Sequence, residues 1–228
     1  MNLIGENIWT VDGPNVVFAG ASMNTRMTVI RLADNRLWIH SPIALSPVVA
    51  SFIDDLGGNV VALIAPNKFH YLFLNEWRER FPHAGVFVDS ALAAKVPELA
   101  GMRILHDIAD RLYAEEIDQL VLRGNRMFQE VVFFHRASRS LILTDLMINL
   151  KTDDMSLLPK LFLAFEGVTY PNGGVPRLYR WFTRDKDEAR RGLAVIRSWD
   201  PIRILFCHGE PIPLAARELL DREFSYLN

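Results

Sequence analysis

The stretch Val60 to Leu74, VVALIAPNKFHYLFL, constrains the fold more than any other part of the chain. An apolar, β-branched run ends at Ala65-Pro66, and from there apolar side chains recur at helical spacing in Phe69, Leu72, Phe73 and Trp77. The joint therefore reads as a strand running into a helix, and a strand this apolar is of the kind covered on both faces. Asn67 is placed to cap the helix through its side-chain carbonyl. His70 then falls in the first turn, where the positive end of the helix dipole disfavours imidazolium and leaves a neutral ring able to ligate a metal or polarise a substrate. Two further stretches, Leu141 to Asp145 and Ile202 to His208, end in the same way, a strand running into one polar group. If the three strand ends converge, they form a site.

The 228 residues, half of them hydrophobic, suffice for one domain over 1–228 whose core needs no cross-links. A formal net charge of -2 with both signs interspersed leaves no electrostatic footprint for nucleic acid or for an anionic membrane. Cys207 is the only cysteine, so no intrachain disulfide forms. The opening MNLIGENIWT has neither the basic nor the apolar region of a secretion signal, and nowhere do eighteen apolar residues run together. The expectation is a soluble cytoplasmic protein acting on or binding a small molecule, with a homodimer left open.

Short strands are expected at Asn7 to Asp12, Met27 to Leu32 and Arg36 to His40, with Asp34-Asn35 as a turn. Ser46 caps a helix through Val48, Val49, Phe52 and Ile53 that stops at Gly57-Gly58. A strand at Asn59 to Ala65 follows, then the helix from Asn67 to about Phe81-Pro82, a strand at Gly85 to Asp89, and a helix and loop over Ser90 to Ala100. Ile117 to Leu122 is a strand, and Glu130 to His135 pairs with Ser140 to Asp145 across a four-residue turn. Facing His135 with Ser140 puts Phe133 opposite Ile142, Val131 opposite Thr144 and Glu130 beside Asp145, with His135 left roughly 17 Å from that end. Met155 to Tyr170 is too apolar for an ordinary loop and is expected to pack. Asp187 to Trp199 is a helix with Ala189, Leu193 and Ile196 on one face. After a strand at Ile202 to Phe206, Pro213 starts a last helix through Leu219, Leu220 and Phe224.

This order of elements and the three polar strand ends resemble the metallo-β-lactamase fold over nearly the whole chain. The resemblance implies an α/β (α+β) architecture, an αββα sandwich with its metal site along one edge. In that superfamily a strand ends in an H-x-H-x-D-H turn, a later histidine follows a glycine, an aspartate ends a further strand, and a last histidine sits in a G-H-G strand end. Here Ala65-Pro66-Asn67-Lys68-Phe69-His70 keeps only the final histidine of the first motif. Gly124-Asn125 stands in the place of the glycine-histidine pair, Leu143-Thr144-Asp145 matches the aspartate, and Cys207-His208-Gly209 matches the last histidine. Trp38 to Pro42, Ala65 to Asn67 and Phe69-His70 are similar to the W-I-H-S-P, A-P-N and F-H segments of an uncharacterised, ligand-poor branch.

The resemblance implies that the first metal's ligand positions fall on Ala65, Asn67 and Asn125, so that half of the site is dismantled. The second metal's positions fall on Phe69, His70, Asp145 and His208, and three of the four still carry ligands. The implied cofactor is one zinc or iron ion, or none, and never a binuclear pair. Asn67, Glu130 and Asn125 are the surrounding candidates for orienting ligands or binding substrate, with Glu130 also a candidate replacement ligand. Without a metal, His70, Asp145 and His208 would hydrogen-bond among themselves.

Other polar groups have plainer readings. His40 and His135 satisfy local hydrogen bonds, and Cys207 is a small buried residue rather than a ligand or nucleophile. Arg177, Arg180, Arg184, Lys186, Arg190 and Arg191 are interleaved with Asp185, Asp187 and Glu188, as on a solvated helix face. Tyr179, Trp181 and Phe182, with Leu161 to Phe165, read first as core and second as a subunit interface or a lid. Two functions follow: a mononuclear metal-dependent hydrolase of an ester, lactone or similar bond, or a non-catalytic descendant that binds a small molecule or partner or serves as a dimeric scaffold.

Overall fold

The computed structural model describes residues 1–18, 20–212 and 214–228, with the side chain of Phe18 also left out. The chain begins with an antiparallel run, β1 (Asn2–Gly5), β2 (Ile8–Phe18), β3 (Ala21–Arg31) and β4 (Arg36–His40). The β2–β3 arms are each 11 residues long, beyond the expected Asn7–Asp12 and Met27–Leu32. They run through Gly13-Pro14, where the register shifts between Asp12 and Asn15 and the pairing then resumes. Helix α1 (Pro47–Leu56) has Ser46 as its N-cap, the hydroxyl accepting from Val49 N, and left-handed Gly57 at its end. Strand β5 (Asn59–Ala65) has the expected bounds and pairs in parallel with β4.

The next element corrects the sequence reading. The expected helix from Asn67 begins only at Leu74, as α2 (Leu74–Arg80), and residues 67–73 form a chain of bends and turns. The Asn67 carbonyl accepts from Phe69 N at 2.8 Å and His70 N at 3.1 Å, which makes a local turn that does not propagate. His70 therefore does not lie in a helical first turn, and the helix-dipole basis for its neutral state has no helix behind it. Strand β6 (Gly85–Val88), helix α3 (Ser90–Lys95) and strand β7 (Arg103–Ile104) complete a seven-stranded sheet in sequence order.

The second sheet contains β8 (Ile117–Leu122), β9 (Glu130–His135) and β10 (Ser140–Ile142). The hairpin has the expected register, His135 facing Ser140 and Phe133 facing Ile142, and the ladder stops there rather than continuing to Thr144. After β11 (Ile148–Asn149) come α4 (Leu157–Glu166), α5 (Arg177–Phe182) and α6 (Lys186–Ser198), then β12 (Arg203–Leu205) parallel to β10. Strand β13 (His208–Gly209) pairs with β11, and α7 (Ala216–Glu223) follows. Pro213, the expected start of that helix, lies outside the described residues.

Three apolar layers follow from the side-chain alternation of these strands. Ile30, Trp38, Ile64 and Phe87 of the first sheet face Ile117, Val131, Phe133 and Ile142 of the second. Trp38 sits edge-on to Phe133, with ring centroids 5.1 Å apart. The outer face of the first sheet carries Val49 and Ile53 of α1, Trp77 of α2 and Leu92 of α3. The outer face of the second carries Leu193 and Ile196 of α6 and Leu219 and Leu220 of α7. At about 1.5–3 kcal/mol for each large buried side chain, these layers dominate the stabilisation. The architecture is the expected αββα sandwich. Among the described residues no helix is long and apolar enough to cross a membrane.

Candidate metal centre

Three strand ends meet at one edge of the sandwich. His70 follows β5, Asp145 follows β10, and His208 opens β13. The Nε2 atoms of His70 and His208 each lie 3.0 Å from Asp145 Oδ1 and 3.3 Å from each other. Donor atoms around a tetrahedral ion with bonds of about 2 Å stand roughly 3.3 Å apart, and around an octahedral one roughly 2.9 Å. The triangle thus has the dimensions of one face of a coordination polyhedron, and its donors are the two imidazoles and carboxylate that borderline divalent ions take.

The backbone around each ligand explains its aim. His208 Nδ1 lies 2.7 Å from the carbonyl oxygen of Asn24, which can only accept. Nδ1 therefore carries a proton, and in the neutral ring the lone pair is on Nε2, directed into the triangle. Asn24 Oδ1 also accepts from Gly209 N at 2.6 Å, and Arg26 donates to Gly209 O at 2.9 Å while its Nε pairs with Asp12. The second arm of the long hairpin thus clamps the β13 strand from which His208 projects. The His70 ring meets the hydroxyl of Ser41 through Nδ1. Ser41 itself has φ 54°, a left-handed conformation rare outside glycine, held by its amide donating to Ile64 O at 2.9 Å. Each of the two candidate histidines thus has its distal nitrogen engaged by an outer partner, an arrangement shared with metal-bound histidines.

Asp145 is oriented from two directions. Asn67 Nδ2 donates to Asp145 Oδ2 at 2.9 Å and to Thr144 Oγ1 at 2.8 Å, while the other end of the same amide shapes the turn that carries His70. Glu130, fully buried, accepts from the backbone amides of Thr144, Asp145 and Leu146 at 2.7, 2.8 and 3.1 Å. Its carboxylate holds the turn bearing Asp145, with both oxygens engaged by those amides. The Asn125 amide is engaged with α5 and its own loop. It donates to Tyr179 O and Thr183 Oγ1 and accepts from Met127 N and Phe128 N, tying its loop to α5.

The electrostatics are those of a coupled acid-base cluster. Burial alone would raise the Asp145 carboxyl, but the charges of His70 and His208 and their hydrogen bonds hold it well below the usual carboxylate range. For His208, burial works against protonation, yet the bond to Asp145, its charge and the Asn24 carbonyl raise the net value above the ordinary one. Glu130 is pushed up to about 7 by burial and then by the Asp145 charge, with the amide bonds from Thr144 and Asp145 opposing. Asp145 keeps 18% of its side-chain surface, against 9% and 5% for the two histidines, so the carboxylate marks the opening of the site.

Neighbouring residues set what the centre can do. Phe69, where the resemblance implies a fourth ligand, stacks on Phe128 with centroids 5.9 Å apart, and its side chain has no atom able to ligate a metal. Cys207 is buried and its thiol is pushed up by desolvation, with a Ser41 hydrogen bond only partly opposing, which disfavours the thiolate. His40 and His135 make no hydrogen bond to the triangle among the described residues. His135 bonds Ser138 at 2.8 Å, whereas among the described residues neither nitrogen of His40 has a hydrogen-bond partner, against the expected local satisfaction. Asn24, Arg26 and Ser41 escaped sequence reasoning. Only Ser41 had a local signal, as a polar residue directly after strand β4.

Comparison with solved structures gives the same architecture. The chain matches DIM-1 metallo-β-lactamase exposed to ceftazidime with TM-score 0.67 at 12% identity, covering 99% of this chain and 94% of that one. A metallo-β-lactamase from Hirschia baltica matches with TM-score 0.63 at 15% identity, covering 100% and 96%. FIM-1 from Pseudomonas aeruginosa, in a mono-zinc form, matches with TM-score 0.62 at 12% identity, covering 99% and 92%. At these identities the likeness shows the fold alone, that of the metallo-β-lactamases. No curated protein matches the sequence. A family model matches residues 5–166, and the chain accordingly belongs to the family described as Domain of unknown function (DUF4336).

Proposed function

We propose that the chain binds a single divalent ion through His70 Nε2, Asp145 Oδ1 and His208 Nε2, and that the site hydrolyses an ester, lactone or similar bond. The observation that carries this reading is the aim of His208: with Nδ1 donating to a backbone carbonyl, Nε2 faces the other two donors at 3.0 and 3.3 Å and is the nitrogen whose lone pair an ion takes when it displaces the proton shared with Asp145. Zinc and ferrous iron both suit this donor set. An ion bound there supplies Lewis acidity, polarising the bond to be cleaved and acidifying water. Asn67 keeps Asp145 turned so that Oδ1 faces the histidines, and Glu130 prevents the 144–146 turn from swinging away. Substrate approaches past Asp145, the most exposed member. The mono-zinc form of one structural neighbour is in keeping with a single ion in this fold.

A second reading is favoured by Phe69. With an aromatic ring in place of a carboxylate, Asp145 is the only acid left in the triangle, and a site that binds ligand without turning it over is the alternative. Chelator-treated protein titrated with Zn²⁺, Mn²⁺ and Fe²⁺ separates the cases. The hydrolase requires that at least one ion raise the melting temperature, by an amount equivalent to about 2.7 kcal/mol at a hundredfold excess over the dissociation constant. It also requires turnover of an ester or lactone panel that is lost in His208→Ala. A flat thermal response to all three ions rejects the metal site, and binding without turnover selects the non-catalytic reading.

A further inference from the structure

Helix α4 carries its apolar side chains on the outside. Of its ten residues only Leu163 and Glu166 are buried, against the expectation that this segment packs into the core. Leu157, Leu158, Leu161, Phe162 and Phe165 all face solvent, with Leu158 80% and Phe165 61% exposed. Trp181 of α5 is 68% exposed and lies one helical turn beyond Arg177, whose guanidinium is 5.6 Å from the Phe165 ring centroid. These six residues expose roughly 800 Å², above the few hundred Å² a monomer usually shows in one patch and near the ~800 Å² per partner of a stable interface.

The helix is firmly mounted. Leu163 packs with Ala21, Met23, Leu150 and Val168, Glu166 accepts from Leu178 N at 2.9 Å, and left-handed Gly167 closes the C-terminus. The face is therefore presented by a fixed element.

We infer that a second copy of this chain covers the face, with the two α4 helices antiparallel across a two-fold axis. The distribution of charge selects this occupant. Exposed Asp153 and Asp154 precede the helix, and exposed Arg177 lies at its far end, its Nε 3.9 Å from the Cβ position of Gly167. Among the described residues none of the three forms a salt bridge within the chain. Antiparallel pairing brings the acids of each copy beside the arginine of the other, twice, as an isologous contact requires. A ten-residue helix is about 15 Å long, so both ends fall within one interface. A lipid surface fits less well, since Lys160 is the only cation on the helix and the acids sit at its start, whereas interfacial membrane helices carry a cationic polar face.

Sedimentation of the full chain tests the proposal. The expected mass is twice 26.0 kDa at micromolar concentration. Leu161→Glu and Phe165→Glu each raise the dimer dissociation constant at least ~100-fold with unchanged circular dichroism. Arg177→Asp weakens the dimer, and combining it with Asp153→Arg and Asp154→Arg restores it, a rescue that only the antiparallel arrangement gives. A monomer at all concentrations, a dimer indifferent to these changes, or a monomer that pelletswith phosphatidylserine vesicles through Leu161 overturns the proposal.

Discussion

Replacing Glu130 by alanine tests whether the centre is built from behind. The side chain is fully buried and its two oxygens take three backbone amides, from Thr144, Asp145 and Leu146. Leaving three buried donors without an acceptor costs about 1–3 kcal/mol each. Against that stands relief of the carboxylate's own burial. Raising its titration from 4.5 to about 7 corresponds to roughly 3 kcal/mol of penalty on the charged form at alkaline pH. Taken at the middle of that range, about 2 kcal/mol for each donor, the balance is a net loss of about 3 kcal/mol. Glu130→Gln should fall between the two, because one oxygen still serves Asp145 and Leu146 while the new amino group confronts the Thr144 amide. Urea unfolding at pH 8 gives the stability change, and zinc titration of the same proteins should show affinity reduced ~10–100-fold in the alanine variant, as for other groups that orient metal ligands. A loss below about 1 kcal/mol with unchanged zinc affinity would refute the clamp.

Three other outcomes are expected. His40, fully buried beside Trp38, is lowered to about 3 by desolvation and then by the His70 charge. It stays neutral in the fold while the unfolded chain takes up a proton below 6.5, so stability is lost as pH falls from 6.5 toward 3, by about 2 kcal/mol at pH 5. His40→Leu should remove that share of the acid sensitivity in urea midpoints compared at pH 7.5 and 5, and an equal loss in both proteins contradicts the assignment. Asn67→Ala deletes the bonds to Thr144 and Asp145 and the turn around His70, and is expected to lower stability by about 2 kcal/mol and zinc affinity about tenfold, read by thermal melting with and without metal. Gly209→Ala places a Cβ 2.0 Å from Asn149 O at φ 88°, so β13 cannot pair with β11. Zinc binding should be lost with it, and a variant that binds normally rejects the β11–β13 pair as the seat of His208.

Much of the frame was legible because its signals are local. Ser46 and Gly57 bound α1 through their own hydrogen bonding and backbone preference, and the apolar run Asn59–Ala65 had no alternative to a buried strand. The His135–Ser140 register follows from a short turn, and it placed Glu130 at Asp145 correctly. What failed to be legible depends on distant partners. Asn67 has the sequence context of a helix cap, but its amide is recruited by Thr144 and Asp145, 77 and 78 residues away, and the helix starts later. Asn24 and Arg26 face His208 only because the β2–β3 hairpin is longer than its alternation suggested, its pairing resuming beyond Gly13-Pro14. Helix α4 has a core-like composition, and nothing in its sequence says that it is left outside.

Metal counting shows most directly whether the three chain-distant side chains His70, Asp145 and His208 form one ligand set. Chelator-stripped protein dialysed against zinc or ferrous iron and analysed for bound metal should retain one ion per chain, with His70→Ala, Asp145→Ala and His208→Ala each falling to background while remaining folded. Retention of no ion by the wild type, of two ions, or of one ion that survives the His208 substitution would contradict that ligand set.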